Sequence, residues 1–383
     1  MKKLEVAGGS GWAVVVWLIA VTALAGGGCK GRNDVAAGEM DTIPDMTEDA
    51  RLLNMRDYGD FVKVDVVNPW DTAAMLGRYV LVERGVMPDS LPDGYMRIDV
   101  PLTRSLVYSG VHGGLIAELG AADAVAGVAD GGYFRSEPYA ARLKRGELVD
   151  VGSSQAPSLE AIVALGPDAV LVSPFENAGH GVLDSTGSSV VECADYMEDT
   201  PLGRAEWMRF IGRLYGKGAE VDSLYSVVKE RYDSVKSKAS GFGEKPLVLT
   251  EMLTDGYWFV PGGMSYMARM IQDAGAEYPW AADKSRGSLQ LDFSSVYARA
   301  ADADVWLIRS YGRDLTKDDI LSVYLLNGQF KAFKTGNVWV ANTGEVPLFE
   351  EFPFHPDMLL EEFCSIFHPG NQTGQRYYRK VRD

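Results

Sequence analysis

One long amphipathic segment near the middle of the chain constrains the fold more than any other feature. Between Lys217 and Ala239, apolar residues recur at spacings of three and four, namely Val221, Leu224, Tyr225, Val228, Tyr232 and Val235. This period predicts a single helix of about 22 residues, roughly 33 Å long at about 1.5 Å per residue. A shorter helical pattern, EWMRFIGRLYG, precedes it. The chain is therefore expected to carry a stiff helical connection and not a flexible linker.

Strand and helix patterns alternate on both sides of this helix. Before it, AVAGVAD, ELVDVG and PDAVLVSPF are typical of strands, and VHGGLIAELGA and SLEAIVALG are typical of helices. After it, PLVLTEM, GYWFVPGG, DVWLIRS and NVWVANTG indicate strands, and MSYMARMIQDAGA, FSSVYARAADA and HPDMLLEEFCSIFHP indicate helices. Such alternation favours parallel sheets covered on both faces. The predicted fold class is α/β, with two lobes of mainly parallel sheets joined by a single long α-helix.

The start of the chain has the features of an export signal. Lys2 and Lys3 precede WAVVVWLIAVTALA, an apolar stretch of 14 residues, whereas a membrane-spanning helix needs about 20. A charged start, a short apolar centre and a small-residue exit are typical of a secretory signal. The small residues 26–28 stand directly before Cys29 and resemble the lipobox of bacterial lipoproteins, which implies cleavage before Cys29 and lipidation of its thiol. An ordinary signal peptide or an uncleaved anchor is the alternative.

These patterns divide the chain into five segments. Residues 30–50 are polar and acidic and lack a periodic apolar pattern, which predicts a tether. The predicted segments are a lipoprotein signal peptide (1–28), a tether (29–50), an N-terminal α/β lobe (51–202), a linking helical segment (203–240) and a C-terminal α/β lobe (241–383). An exported, lipid-anchored protein on the periplasmic side or the cell surface is expected.

Composition excludes some functions and leaves others open. The formal net charge of −16 argues against a nucleic-acid partner, because such binding depends on clustered Lys and Arg. Apart from Cys29, only Cys193 and Cys364 are present. They could form one bridge, but two separate buried thiols are favoured over that pairing. The sequence has no GxSxG, no P-loop and no GxGxxG followed by a helix and an acidic residue, so we expect no enzyme activity, with a lipoprotein hydrolase as the remote alternative.

Three phrases, in order, resemble class III periplasmic binding proteins, which deliver iron–siderophore complexes, haem or cobalamin to ABC importers. SLEAIVALGPDAVLVS resembles an N-lobe segment of that family, GYWFVPGGMSYMARMIQDAGAEYPW a C-lobe segment, and FHPDMLLEEFCSIFHPG the terminal helix. The resemblance implies a monomer that binds a metal chelate, foremost a ferric siderophore, in a groove between the lobes, with an ABC permease as partner. Haem and cobalamin are the alternative ligands, and no resident cofactor is implied.

A bulky chelate is expected to bind between aromatic side chains with a few charged groups nearby. Aromatic and charged residues near the ends of predicted strands are the candidates for these contacts. Arg suits the oxygen atoms of an anionic chelate. The predicted groove residues are Tyr133, Phe134, Arg135, Tyr257, Trp258, Trp280, Arg309 and Tyr311. The resemblance also implies that Glu160 docks on the permease, whereas Ser294 stands where many relatives carry the matching Glu.

A receptor for a free metal ion is a weaker alternative. Zinc favours nitrogen and sulfur ligands, but the chain has only four histidines, at positions 112, 180, 355 and 368. None forms a helical pair at i and i+4, and His355 and His368 lie in His-Pro pairs at the ends of a predicted helix. No metal ligands are therefore assigned.

The lipobox interpretation makes a direct prediction. In Cys29→Ser, the precursor should stay unprocessed and little mature protein should reach the membrane fraction, because the thiol that accepts the lipid is gone. Fractionation of cells with immunodetection of precursor and mature forms measures both effects. Membrane partition unchanged from the wild type would contradict the assignment.

Overall fold

The computed structural model describes residues 43–370 and 374–382. The predicted signal peptide (1–28), Cys29 and the first part of the tether lie outside these residues, so those assignments stay predictions. None of the helices in the described ranges combines the length and apolarity needed to cross a bilayer.

The N-terminal lobe contains two sheets. The first is built from β1 (Leu53–Asp57), β2 (Val62–Val67), β3 (Met75–Glu83) and β4 (Met96–Val100), in that order. The second contains β5 (Ser105–Val107), β6 (Val125–Val128), β7 (Val149–Asp150), β8 (Ala169–Val172) and β9 (Ser189–Glu192). Helices α1 (Gly110–Glu118), α2 (Glu137–Arg145) and α3 (Leu159–Leu165) connect the strands of this second sheet. All its strand pairs are parallel, as the sequence predicted, whereas β1, β2 and β3 are antiparallel.

The second sheet has the order β7-β6-β5-β8-β9. The chain begins it with β5, adds β6 and β7 on one side, and then adds β8 and β9 on the other. The winding direction therefore reverses between β5 and β8, and in such sheets the connections that follow the two strands leave on opposite sides, with a crevice between them. This reversal fixes where the N-terminal lobe can form a binding site.

The C-terminal lobe also has two sheets. Its strands are β10 (Val248–Thr250), β11 (Leu253–Thr254), β12 (Tyr257–Pro261), β13 (Ser288–Leu291), β14 (Val305–Ser310), β15 (Val338–Asn342) and β16 (Arg379–Lys380). Its helices are α7 (Tyr266–Asp273), α8 (Phe293–Ala300), α9 (Lys317–Val323), α10 (Lys331–Lys334), α11 (Leu348–Glu351) and α12 (Pro356–Phe367). In the larger sheet, β10, β14 and β15 are parallel and β16 is antiparallel. The smaller sheet, β11-β12-β13, is antiparallel.

The long helix between the lobes confirms the central prediction. After α4 (Pro201–Glu206) and α5 (Met208–Leu214), helix α6 (Gly218–Ala239) runs for 22 residues. Val221 and Val228, from its first half, are buried in the N-lobe core, and Tyr232, from its second half, is buried in the C-lobe core. One apolar face of a single helix therefore holds both lobes.

The lobes also touch each other directly. Helix α1 of the N-terminal lobe packs against α11 of the C-terminal lobe. A Cβ atom at Gly114 would lie 2.9 Å from the carbonyl oxygen of Glu350, so only glycine permits this approach. At the far end of α1, Nε2 of His355 lies 2.8 Å from a carboxylate oxygen of Glu118. The two lobes are thus held together along α1 as well as through α6.

The end of the predicted tether needs correction, because residues 43–50 are bound to the fold. The fully buried carboxylate of Glu206 accepts backbone N–H bonds from Glu48, Asp49 and Ala50, at 2.8–3.0 Å. The hydroxyl of Tyr225, on α6, donates to Asp49. Residues 43–50 are acidic and lack periodic apolar side chains, yet they are ordered because their backbone N–H groups bond to a buried carboxylate.

The two cysteines in the described part of the chain are free and buried. Cys193 belongs to the N-lobe core and Cys364 to the C-lobe core. Burial raises the pKa of the Cys364 thiol to about 12. The favoured alternative of two separate thiols is therefore confirmed.

The contact between His355 and Glu118 predicts a pH dependence of stability. Burial alone would lower the pKa of His355, but the hydrogen bond and charge of Glu118 outweigh it and raise the pKa above the ordinary 6.5. A raised histidine pKa stabilises the fold below the unfolded value, and this contribution disappears as the pH rises through the folded pKa. Urea unfolding should therefore show a free energy of unfolding that declines above pH 6.5 more steeply in the wild type than in His355→Asn.

The partner variant tests the same pair from the other side. Glu118→Gln removes the charge that raises the His355 pKa, so it should flatten the same part of the pH profile. A profile that keeps the wild-type slope in both variants would contradict the assignment.

Candidate functional site

A cavity of about 730 Å³ lies between the two lobes. Tyr108 follows β5, Asp130 follows β6 and Ser173 follows β8, and all three line it. From the C-terminal lobe, Tyr311 follows β14 and Thr343 follows β15. The cavity thus faces the carboxyl ends of the parallel strands of both lobes, at the reversal of strand order between β5 and β8. We call it the groove.

Exposed aromatic side chains form much of the groove wall. Tyr133 and Tyr311, from opposite lobes, have their ring centroids 6.5 Å apart in an edge-on arrangement, and each is at least 60% exposed. Phe175 and Phe349 add two further exposed rings. A Cβ atom at residue 110 would lie 2.6 Å from the Tyr133 carbonyl oxygen, so Gly110 lets the Tyr133 loop sit close to α1. Flat rings of this kind suit a large ligand with apolar surface.

One ion pair crosses the groove between the lobes. Arg135 donates from Nη2 to Oε1 of Glu350 at 2.8 Å and from Nε to the same oxygen at 3.1 Å. Both residues also line a second cavity of about 430 Å³ between α1 and α11. The pair therefore stands between the two cavities, and Arg135 already has an anionic partner.

A histidine and a buried glutamate lie together on the N-lobe side. Nε2 of His180 is 2.5 Å from Oε1 of Glu192, and its Nδ1 is 3.3 Å from Asp184. Burial would lower the pKa of His180, but hydrogen bonding to Glu192 and Asp184 and their charges outweigh it and raise the pKa. Burial raises the pKa of Glu192, although His180 acts against it. The groove thus contains a carboxylate that is poorly solvated.

Three of the predicted groove aromatics are core residues instead, and their assignment was wrong. Trp258 is fully buried, stacks on Trp306 with ring centroids 5.8 Å apart, and donates its indole N–H to a backbone carbonyl. Trp280 is 3% exposed, and Phe134 is 3% exposed against Tyr139. Each of the three stands near a turn in the sequence, but their side chains are buried in the lobes, where large rings contribute most to stability.

Two further predictions fail for different reasons. Arg309 does not line the groove, and its Nε donates to Oε1 of Glu251 at 2.7 Å. Burial alone would lower the pKa of Arg309, but the charge of Glu251 outweighs it and raises the pKa further. Tyr257 is 49% exposed on β12 and also lies outside the groove lining. Of the eight predicted groove residues, Tyr133, Arg135 and Tyr311 line the groove.

Several lining residues escaped the sequence analysis. Phe175 and His180 follow strand β8, and Glu192 ends strand β9. The rule that sites lie beyond the carboxyl ends of parallel strands could have pointed to all three. Phe349 and Glu350 lie on the four-residue helix α11, and nothing in the local pattern VPLFEEF distinguishes them from core or surface residues.

Glu160 and Ser294 occupy matching places in the two lobes. Glu160 is the second residue of α3, whose cap is Ser158, with its Oγ accepting from the Ala161 N–H. Ser294 is the second residue of α8, whose cap is Asp292. Both side chains are exposed, so the departure at Ser294 removes a carboxylate from the C-lobe position.

Within residues 43–370 and 374–382, no group of three or more His, Cys, Asp or Glu side chains has the arrangement to hold a metal ion. His112 is buried with its Nε2 2.8 Å from Asp195, and His368 lies 3.0 Å from a backbone carbonyl. The groove contains aromatic faces, hydrogen-bonding groups and charges. It is equipped to hold a ligand by noncovalent contacts.

Two archaeal proteins resemble this chain in sequence. Both come from Methanocaldococcus jannaschii and are called uncharacterized lipoproteins. One is 26% identical over 303 residues, which cover 75% of this chain and 70% of the relative. The other is 27% identical over 330 residues, covering 80% of each. Relatives described as lipoproteins, together with the family below, indicate an exported protein.

Solved structures share the architecture. A periplasmic haem-binding protein from Pseudomonas aeruginosa has a TM-score of 0.57 and 18% identity, covering 73% of this chain and 98% of that protein. An Fe³⁺-hydroxamate transport protein from Saccharomonospora viridis has a TM-score of 0.54 and 19% identity, covering 70% and 94%. The model of the family described as periplasmic binding protein matches residues 107–342, more than half of the chain. The chain therefore belongs to the periplasmic binding protein family, with the class III architecture of two α/β lobes joined by a single helix.

Proposed function

We propose that the chain is the substrate-binding lipoprotein of an ABC importer. It captures a metal chelate, foremost a ferric siderophore, in the groove and delivers it to the permease. Family membership and the architecture support the class of function. The cavity of about 730 Å³ lies within the range of about 300–1,000 Å³ that small-molecule sites occupy.

The contact of Tyr133 with Tyr311 carries this proposal. These rings belong to different lobes, and both remain more than half exposed although they approach within 6.5 Å. Leaving such large apolar faces in water is unfavourable, and a bulky ligand between the lobes would cover both. Phe175 and Phe349 extend the same surface. A rigid chelate with hydrocarbon edges fits this surface better than a small polar solute does.

Haem is the second candidate, and one observation favours it. Tyr133 and Tyr311 both bring a phenol group to the groove, and a tyrosine oxygen can serve as an axial ligand of haem iron. The structural neighbour from Pseudomonas aeruginosa is described as a haem-binding protein. Haem bound through tyrosine would shift its Soret band on binding, and Tyr133→Phe or Tyr311→Phe would abolish that shift. Cobalamin is a further alternative.

The proposed partner is a permease that Glu160 engages. Glu160 is exposed near the start of α3 and lies outside the groove lining. Its carboxylate is therefore available to an arginine of another protein. Because Ser294 replaces the carboxylate at the matching place on α8, the docking charge is concentrated on the N-terminal lobe.

A ligand panel tests the binding function. Native mass spectrometry against ferric siderophores, haem and cobalamins should identify a bound chelate, and quenching of intrinsic fluorescence should give its Kd. Tyr133→Ala and Tyr311→Ala should each weaken binding about tenfold, since an aromatic contact contributes about 0.5–1.5 kcal/mol beyond area burial.

Tyr257→Ala is the matched control, because Tyr257 is an exposed tyrosine outside the groove. It should bind like the wild type. No binding of any chelate, haem or corrinoid would overturn the proposed ligand class. Appearance of a chemically altered product would instead favour the hydrolase alternative.

Glu160 should affect delivery and leave capture intact. In Glu160→Arg, ligand affinity should match the wild type while uptake by a reconstituted importer falls, because the variant repels the permease arginine. Ser294→Arg is the matched control on the other lobe and should reduce uptake less, since it removes no carboxylate. An equal loss of affinity and uptake in Glu160→Arg would place Glu160 in the groove or the fold.

A further inference from the structure

We infer that the ligand of the groove carries a cationic hydrogen-bond donor, an ammonium or similar amine group, which the buried carboxylate of Glu192 holds. This inference rests on the proposed function and narrows the class of chelate. It concerns the N-lobe end of the groove, beyond the aromatic rings.

Glu192 has one bonded and one free oxygen. Its side chain is only 8% exposed, and Oε1 bonds to Nε2 of His180. Oε2 is buried and has no hydrogen-bond partner. The backbone N–H of the same residue donates to the hydroxyl of Tyr79, which fixes the end of β9. A buried acceptor that stays unpaired is costly, so a donor from the ligand would satisfy it.

Space is available around this carboxylate. Glu192 and His180 line the groove, and they also line a further cavity of about 430 Å³ on the side of β3. The pair thus has room on two sides. Glu192 therefore lies in the wall between two open spaces, one of which is the groove.

The remaining charges of the groove point to the same ligand class. Arg135 is the only arginine or lysine in the described lining, and it is already bonded to Oε1 of Glu350. Oε2 of Glu350 is also buried without a partner. Asp130 adds another carboxylate, which accepts a backbone N–H from Ser154. The described lining thus has three carboxylates, at Asp130, Glu192 and Glu350, against the single arginine and His180, so negative charge is in excess.

The excess of carboxylates in the groove lining favours some chelates over others. Carboxylate-rich chelates and the propionate groups of haem would face carboxylates without a free cation to pair with them. In a ferric trihydroxamate, the hydroxamate oxygens are bound to iron, so the iron centre brings no anion to the groove. An amine at the end of its chain would supply the missing donor. Charge-assisted hydrogen bonds of this type are the strong ones.

A matched pair of ligands tests the inference. The probes are a linear ferric trihydroxamate with a free terminal ammonium and the same complex with that amine acetylated. The wild type should bind the ammonium form about tenfold more tightly, as expected for one charge-assisted hydrogen bond. Isothermal titration calorimetry or fluorescence quenching at fixed ionic strength gives both Kd values.

The variants then locate the effect. Glu192→Gln keeps the shape of the side chain and removes its charge, so the ratio of the two Kd values should fall to about one. Glu176→Gln makes the same change at an exposed residue outside the groove lining and should keep the wild-type ratio. Thermal melting verifies that each variant is folded.

The outcomes separate this inference from the proposed function. Equal affinity of the wild type for both complexes overturns the inference even if no variant folds, and leaves the chelate-binding function in place. A ratio that persists in Glu192→Gln also overturns it. If the panel shows that no chelate binds at all, the proposed function fails and this inference fails with it.

Discussion

The burial of one face of α6 in two separate cores is the constraint on which the rest of the structure depends. Val221 and Val228 belong to the N-lobe core, and Tyr232, about one turn further on, belongs to the C-lobe core and donates its hydroxyl to Asp273 at 2.9 Å. Since the helix is continuous over 22 residues, neither lobe can move far without removing apolar side chains from its own core. A stiff connection of this kind permits small adjustments of the groove and resists wide closure.

The direct contacts between α1 and α11 also resist movement of one lobe relative to the other. Gly114 allows the backbone of α11 to approach α1, and Arg135 pairs with Glu350 across the gap. The groove is therefore largely formed before a ligand arrives, which reduces the conformational cost of binding. Exposed rings such as Tyr133 and Tyr311 are stable in this position because the lobes that carry them are held elsewhere.

Charge is distributed unevenly in the molecule. The net charge is −16. Some of the carboxylates are buried, and these have different roles in the structure. Glu206 is fully bonded by backbone N–H groups and fixes the segment that leads into the domain. Glu192 and Glu350 each keep a buried oxygen without a partner and line the groove. The first arrangement is complete without a ligand and the second is not, which is why we connect Glu192 with recognition and Glu206 with folding.

The sequence by itself determined the α/β class, the two lobes and the helix between them. The spacing of apolar residues within a segment is enough to indicate whether that segment forms a helix or a strand. The sequence also indicated strand ends near which a site could form. Only the tertiary structure decided which side chains face the groove. Trp258 and Tyr257 are neighbours on one strand, yet one is fully buried and the other is 49% exposed, and neither lines the groove. Arg309 was unpredictable for a related reason, since its partner Glu251 lies 58 residues away. The direction of a side chain and its pairing with a distant charge depend on how the sheets and helices pack together. A local sequence pattern contains no information about that packing.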